Sequence, residues 1–318
     1  MKIIPARFLR FAFIAGLGLS AATVGRSQMV YGVDSTGTLF NFNLSSPGSI
    51  SSVGNLGFVP EGIDFRSGTS TLYAIDVGAS LSRLYTIDTA SGAATAIGAG
   101  FATMGTAGGL SYDLSTATSF GFDFNPTTLQ ADGSIRIRLT ANNGTNLRLH
   151  SATGGVAAVD GALSSTTIGG VAYINNASAT IGGVTALYDI NYQTDSLFLQ
   201  NPPNNGTLNL VGSLGVNVGP NIGFDIFTAA GSNDTGIGGD MGFFVDTTAA
   251  GSATLYSLDL GTGAATQLSV INRDFAGGFA VTSAVPEPAH FGLGAAALLI
   301  GAAVYKRRKK SVLTTPAQ

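Results

Sequence analysis

The sequence predicts an all-β fold, a β-propeller of five four-stranded blades, and three observations carry that expectation. The stretch Leu84 to Gly98 has the layout of a hairpin: β-favouring Leu84, Tyr85 and Ile87, turn residues from Asp88 to Gly92, and a returning strand with Thr95 and Ile97. Imperfect copies recur at Leu39, Leu147 and Leu255. Around the hairpin, short strands group in fours over about 40 residues, the length of one propeller blade. Finally, the two ends complete each other: the first unit lacks an opening strand, and a stray one, Gly277 to Val281, stands at the far end.

The units follow in order. Met29 to Gly57 holds only three strands, starting at Val30, Leu39 and Ile50. Glu61 to Gly98 holds four, and similar units run from about Ser119 to Asp160, Ile168 to Gly215 and Asn221 to Ile271. Each complete unit opens with a Gly-containing apolar strand, at Gly62, Gly121, Gly170 and Gly223. Placing the C-terminal strand in the first blade closes the ring and removes the one place where a circular array would leave unpaired edges. A β-sandwich or β-solenoid is the competing architecture, since both also space short strands regularly. Two insertions interrupt the pattern: a glycine-rich connection, Gly100 to Thr118, and a polar loop, Ala229 to Asp240.

Composition narrows the function classes. The 318 residues include 45 Gly, 28 aromatics, 10% charged residues and no Cys, which excludes disulfides, thiolate metal sites and cysteine nucleophiles in this chain. Between Met29 and Val285 stand six Arg and no Lys against 17 Asp and Glu, a net of −11. A phosphate backbone needs a basic surface, so nucleic acid is not an expected partner.

The ends carry the basic residues. Residues 1–27, with Lys2, Arg7 and Arg10 before the apolar run Phe11 to Val24, have the layout of a secretory signal helix, cleaved after Ser27 or alternatively Ala22. No Arg-Arg pair precedes the run, which points to the general secretion machinery; an uncleaved anchor would need a longer span. Beyond the domain at 29–284 come Val285, Pro286, Glu287 and Pro288, the apolar run Phe291 to Tyr305, and the cluster Lys306, Arg307, Arg308, Lys309 and Lys310. As a short transmembrane helix the run would reach about 22 Å. The basic cluster would stop transfer and hold residues 311–318 in the cytoplasm, with the domain outside the membrane.

Val285-Pro-Glu-Pro288, a short apolar helix and a basic cluster, in that order at the extreme C-terminus, closely resemble the PEP-CTERM sorting signal (285–310) of exopolysaccharide-making Gram-negative bacteria. The resemblance implies an exosortase as partner, a membrane cysteine transpeptidase that cuts near Pro286, Glu287 and Pro288 and releases or re-attaches the protein. The middle of the chain is similar to the family called domain of unknown function 4394. The matching pieces are Gly62 to Arg66, Ser82 to Asp88, Phe120 to Pro126, Arg136-Ile-Arg138, Asn146-Leu-Arg148, Leu187 to Ile190, Gln200 to Leu208 and Val211 to Gly215. Gln130 to Ser134 departs from the pattern by extra residues before the Arg pair. That family implies an exported repeat domain and supplies no activity.

Chemistry is sparse. Asp64, Asp123 and Asp225 stand at the same offset in three opening strands, which line the central channel of a propeller. Together they would make a metal site for a hard cation such as calcium; the preferred reading is that each accepts bonds from backbone N–H groups of a neighbouring blade. Calcium binding would raise the melting temperature. Arg136 and Arg138 share a strand face, with Arg148 on the adjacent strand, where they pair with Asp residues or, less favoured, hold an anion or sugar acid. His150 is the only His of the domain, and no Gly-x-Ser-x-Gly elbow, HExxH, Walker A or dinucleotide fingerprint is present. No catalytic residue and no cofactor is therefore assigned. The expectation is an exported, non-enzymatic surface or extracellular-matrix protein, anchored in the inner membrane as a precursor and associated with exopolysaccharide or biofilm. The alternative is an extracellular polysaccharide hydrolase or lyase with a metal in the channel; a carbohydrate-binding module is a third reading, signalled by aromatics at one end of the ring.

Overall fold

A computed structural model of the chain describes residues 28–177, 183–229, 239–249, 251–276 and 278–282. The signal segment, the sorting motif at Val285 to Pro288, the apolar run, the basic cluster at Lys306 to Lys310 and most of the Ala229 to Asp240 loop lie outside them.

Blade 1 begins with β1 (Met29–Val33), β2 (Thr38–Asn43) and β3 (Ser51–Asn55). Blade 2 is β4 (Gly62–Phe65), β5 (Leu72–Val77), β6 (Leu81–Ile87) and β7 (Ala94–Ala102). A separate hairpin, β8 (Met104–Ala107) and β9 (Leu110–Asp113), precedes blade 3, which is β10 (Phe120–Phe124), β11 (Arg136–Ala141), β12 (Asn146–His150) and β13 (Val156–Val159). Blade 4 is β14 (Ile168–Tyr173), β15 (Leu187–Asn191), β16 (Ser196–Gln200) and β17 (Leu208–Ser213). Blade 5 is β18 (Ile222–Thr228), β19 (Asp240–Ala249), β20 (Ser252–Leu258) and β21 (Ala265–Ile271). The last strand, β22 (Phe279–Val281), pairs antiparallel with β1, giving the order β22-β1-β2-β3. The inner strands β4, β10, β14, β18 and β22 touch in sequence and β22 returns to β4, so the five-bladed ring is closed by the strand displaced to the C-terminus.

Close approach of the inner strands explains why each opens with glycine. A Cβ on Gly223 would lie 2.3 Å from Cβ of Phe279, and one on Gly62 2.5 Å from Cβ of Phe122 in the next blade. Packing at that distance leaves no room for a methyl group. Gly223→Ala, at the closure between blades 5 and 1, is expected to cost about 2 kcal/mol, read as a lower urea midpoint. Between the blades, apolar faces make the core: Phe40, Phe42, Phe275 and Phe279 at the closure, Phe122, Phe124, Ile137 and Leu147 between blades 2 and 3, and Ile190, Phe224 and Phe244 between blades 4 and 5.

The repeated hairpin is the outer half of a blade, as its pattern implies: Leu84 pairs with Ile97 and Thr86 with Thr95 across β6 and β7. Its turn is held by Asp88, whose carboxylate accepts from Ala90 N–H and Ser91 Oγ and is thereby held below the usual range. Gly92, at φ +77°, closes the turn against Gly54 of the preceding blade. All five outer pairs carry a register shift, with the surplus residues on the outermost strand. Such bulges twist an exposed edge away from further pairing, and these edge strands contain no charged residue or Pro to do it otherwise.

The Gly100 to Thr118 insertion is more than a connection. Its first residues extend β7, and β8 and β9 fold on the two-residue turn Gly108-Gly109, where both φ angles are positive, as a tight hairpin requires. The extra residues at Gln130 to Ser134 form a local turn closed by the Gln130 N–H to Ser134 carbonyl bond, and β11 leaves it with Arg138 opposite Asp123.

Candidate functional site

The innermost strands share one register. Two residues after the glycine of each stands Asp64, Asp123, Ala172, Asp225 or Ala280, so three carboxylates and two methyl groups ring the axis. The carboxylates are 4%, 1% and 1% exposed, and one oxygen of each lies within 4.8 Å of those of the other two. The sequence reading brought these three residues together, and so does the fold.

Each reaches into the next blade. Asp64 Oδ2 accepts from Phe124 N–H at 2.8 Å, Asp123 Oδ1 from Tyr173 N–H at 3.0 Å, and Asp225 Oδ2 from Val281 N–H at 2.6 Å. Where the preceding blade contributes alanine, the arrangement changes. Blade 5 follows Ala172, and there Ile226 N–H turns to its own neighbour, Asp225 Oδ1, at 2.6 Å. Blade 2 follows Ala280, and there the Phe65 N–H lies near Asp64 and pulls its pKa down. Three carboxylates thus satisfy four buried N–H groups, from β10, β14, β18 and β22; Asp225 serves two, Asp64 and Asp123 one each. A buried N–H without a partner costs about 1–3 kcal/mol, so the set works as a clasp at the centre of the ring.

The same closeness disfavours full ionisation. Burial, then the neighbouring Asp225, pushes Asp64 well above the usual carboxylate range; burial, then Asp64 and Asp225, does the same to Asp123. Burial raises Asp225 to about 6 against the pull of its two N–H donors. The folded cluster therefore holds protons more tightly than the unfolded chain. Its contribution is fully present below the unfolded carboxylate pKa and is lost as pH rises through about 6 and above, by up to about 1.4 kcal/mol per pH unit per proton. Thermal melts in chelating buffer are expected to give a higher midpoint at pH 5 than at pH 8. As a donor set for calcium, the cluster offers three oxygens of the six to eight that ion takes. Water would have to supply the rest, and the adjoining cavity among the inner-strand glycines measures about 20 Å³, room for one water molecule.

Comparison with known proteins adds the family. The description "Domain of unknown function (DUF4394)" matches residues 38–280. The chain belongs to the DUF4394 family. No curated protein matches it. Among solved structures, it is similar to a putative 6-phosphogluconolactonase from Bacteroides uniformis ATCC 8492, at 12% identity over 78% of this chain and 83% of that one, TM-score 0.36. It is also similar to TolB from Acinetobacter baumannii, at 12% identity over 80% and 66%, TM-score 0.40, and to a protein from Lactobacillus plantarum, at 13% identity over 80% and 98%, TM-score 0.35.

Several DUF4394 segments named above meet away from the axis, between blades 3 and 4. Arg138, 1% exposed, donates to Tyr173 Oη, Asn146 Oδ1, Asp160 Oδ2 and Asn204 Oδ1 at 2.7 to 3.2 Å. Arg148, opposite Arg138 on β12, makes a bidentate pair with Asp160 at 2.8 Å. Both arginines therefore pair with a carboxylate, as the preferred reading had it. Arg136 differs: its Nη1 is buried without a hydrogen bond. Asn146 Nδ2 and Gln200 Nε2 both donate to the Pro203 carbonyl, so the Asn-Pro-Pro segment caps the buried guanidinium. Burial alone would lower the Arg138 pKa; Tyr173 and Asp160 outweigh it and raise it. His150 lies 3.9 Å from Asp132, at the surface.

Two carboxyl groups escaped the sequence reading. Asp189 on β15 is fully buried, neither oxygen has a hydrogen bond, and burial pushes it well above the usual range against the pull of Arg138. Glu61, just before β4, accepts from Val77 N–H at 2.7 Å, and burial, with Asp76 adding to it, raises it to about 7. Neither has a signature in the sequence, since burial by another strand is what perturbs it.

Proposed function

We propose that this DUF4394 protein is an exported, non-enzymatic component of the cell surface or extracellular matrix, associated with exopolysaccharide. One observation carries the reading: the three recurrent carboxylates are engaged by backbone N–H groups of four of the five inner strands and are nearly inaccessible. Neither Arg nor His bonds to them among the described residues, and a polysaccharide chain cannot reach side chains at most 4% exposed behind a cavity of about 20 Å³. The convergence of three oxygens within 4.8 Å is what favours the second reading, a metal-dependent polysaccharide hydrolase or lyase; the same burial weighs against it.

Export rests on the terminal segments. The signal layout of residues 1–27 delivers the chain to the secretion machinery, the apolar run holds it in the inner membrane, and an exosortase processes it at Val285 to Pro288. Intact mass of the protein from culture medium and from membranes tests this. The expected result is a species lacking both residues 1–27 and Lys306 to Lys310; a C-terminus that keeps the basic cluster in every fraction overturns it.

A further inference from the structure

The connections that lead into the inner strands meet at the end of the ring where those strands begin. Those before β4, β10, β18 and β22 surround a pocket of about 310 Å³ at the mouth of the axis. The connection before β14 is shut out: Ser119 Oγ donates to the Pro220 carbonyl at 2.7 Å, and that carbonyl sits over Gly169 at the start of β14. The mouth is therefore a lopsided cleft rather than a symmetric funnel.

Its lining is chemically selective. Glu61 is the single acidic group, half-buried, held in place by the bond from Val77 N–H, and it also borders the small cavity beneath. Asn221 is exposed and its side-chain amide makes no hydrogen bond among the described residues. Ser119 adds a hydroxyl, and Phe120, Pro60 and Pro220 add apolar surface. With no Lys, Arg or His in the lining, nothing compensates the charge of a phosphate, sulfate or uronate. A single carboxylate is also too little for a divalent cation. Acceptors and neutral donors beside apolar surface, in a space at the low end of small-molecule pockets, suit a molecule bearing both hydroxyl groups and C–H faces.

We infer that the mouth pocket binds a neutral saccharide unit, with Glu61 and Asn221 bonding its hydroxyl groups and Phe120 and the prolines covering its apolar face. The inference deepens the surface reading by naming the site and the glycan class. Saturation-transfer NMR and calorimetry on the full chain, with the methyl glycosides of glucose, galactose and mannose as probes and methyl glucuronide as the charged control, test it. Two variants accompany the wild type: Asn221→Ala, which removes an exposed side chain with no hydrogen bond among the described residues, and Glu61→Gln, which keeps an acceptor for Val77 N–H. At least one neutral glycoside is expected to bind, each variant to weaken it roughly tenfold, and the glucuronide to bind at least about tenfold more weakly. Absence of binding by all three neutral probes, affinity unmoved in both variants, or equal binding of the glucuronide overturns the inference. Failure here leaves export and processing standing, because intact mass reads those separately.

Discussion

Asp225→Asn is expected to lower the melting temperature by about 5–10 °C. This carboxylate accepts two buried N–H groups, one from its own strand and one from the next blade. An amide keeps one acceptor and turns a donor toward the other N–H, so one buried N–H loses its partner and faces a second donor. The penalty is about 2–3 kcal/mol, and for a domain of this size each kcal/mol moves the midpoint by about 2–4 °C. Differential scanning calorimetry at pH 5, where repulsion among the three is smallest, isolates the hydrogen-bond loss. A change below 1 °C would mean that the N–H groups find other partners and that the clasp contributes little.

The second large effect belongs to Arg138. Arg138→Ala is expected to cost about 3–5 kcal/mol, the range for breaking a buried ion pair from one side. It strips the donor from Tyr173, Asn146 and Asn204 at once and leaves Asp160 with Arg148 alone. Lysine does not rescue it, because one ammonium cannot reach four acceptors spread around a planar guanidinium. Asp189→Asn makes a sharp control. Neither oxygen of Asp189 has a hydrogen bond to lose, so the amide is expected to be neutral or stabilising in urea unfolding, whereas Arg138→Ala shortens the plateau.

The ring was legible because a propeller writes its period into the chain. Glycine two residues before the channel position recurs at Gly62, Gly121, Gly170 and Gly223 for a steric reason, and the recurrence sets blade boundaries without knowledge of any contact. The missing first strand and the surplus last one made the closure readable for the same cause. Asp64, Asp123 and Asp225 were legible as a set because strand register carries equal offsets to equal depth. What the pattern hid was the other half of that register: Ala172 looks like an ordinary strand residue, yet its lack of an acceptor makes Asp225 a double acceptor. The Arg138 network was half visible. Arg136 and Arg138 share a face by period, with Arg148 on the adjacent strand and Asp160 just past β13 of the same blade, but Tyr173 and Asn204 arrive from blade 4, which only its packing on blade 3 brings near. The hairpin β8–β9 was hidden in small residues, since Met104 to Asp113 is too short and too rich in glycine to stand out as two strands.

Whether the middle of the ring is a hydrogen-bonded clasp or a metal or catalytic centre shows most directly at Asp123. This carboxyl group accepts a single N–H, from Tyr173, and an amide oxygen can keep that bond while removing an ionisation that burial and its two neighbours oppose. The melting temperature of Asp123→Asn and wild type, measured at pH 7.5 in chelator and again in millimolar calcium, decides it. The clasp predicts that Asp123→Asn melts at or above wild type and that calcium moves neither protein. A wild type raised by calcium, with Asp123→Asn melting lower and no longer responding, would contradict the clasp and place a cation at the centre of the ring.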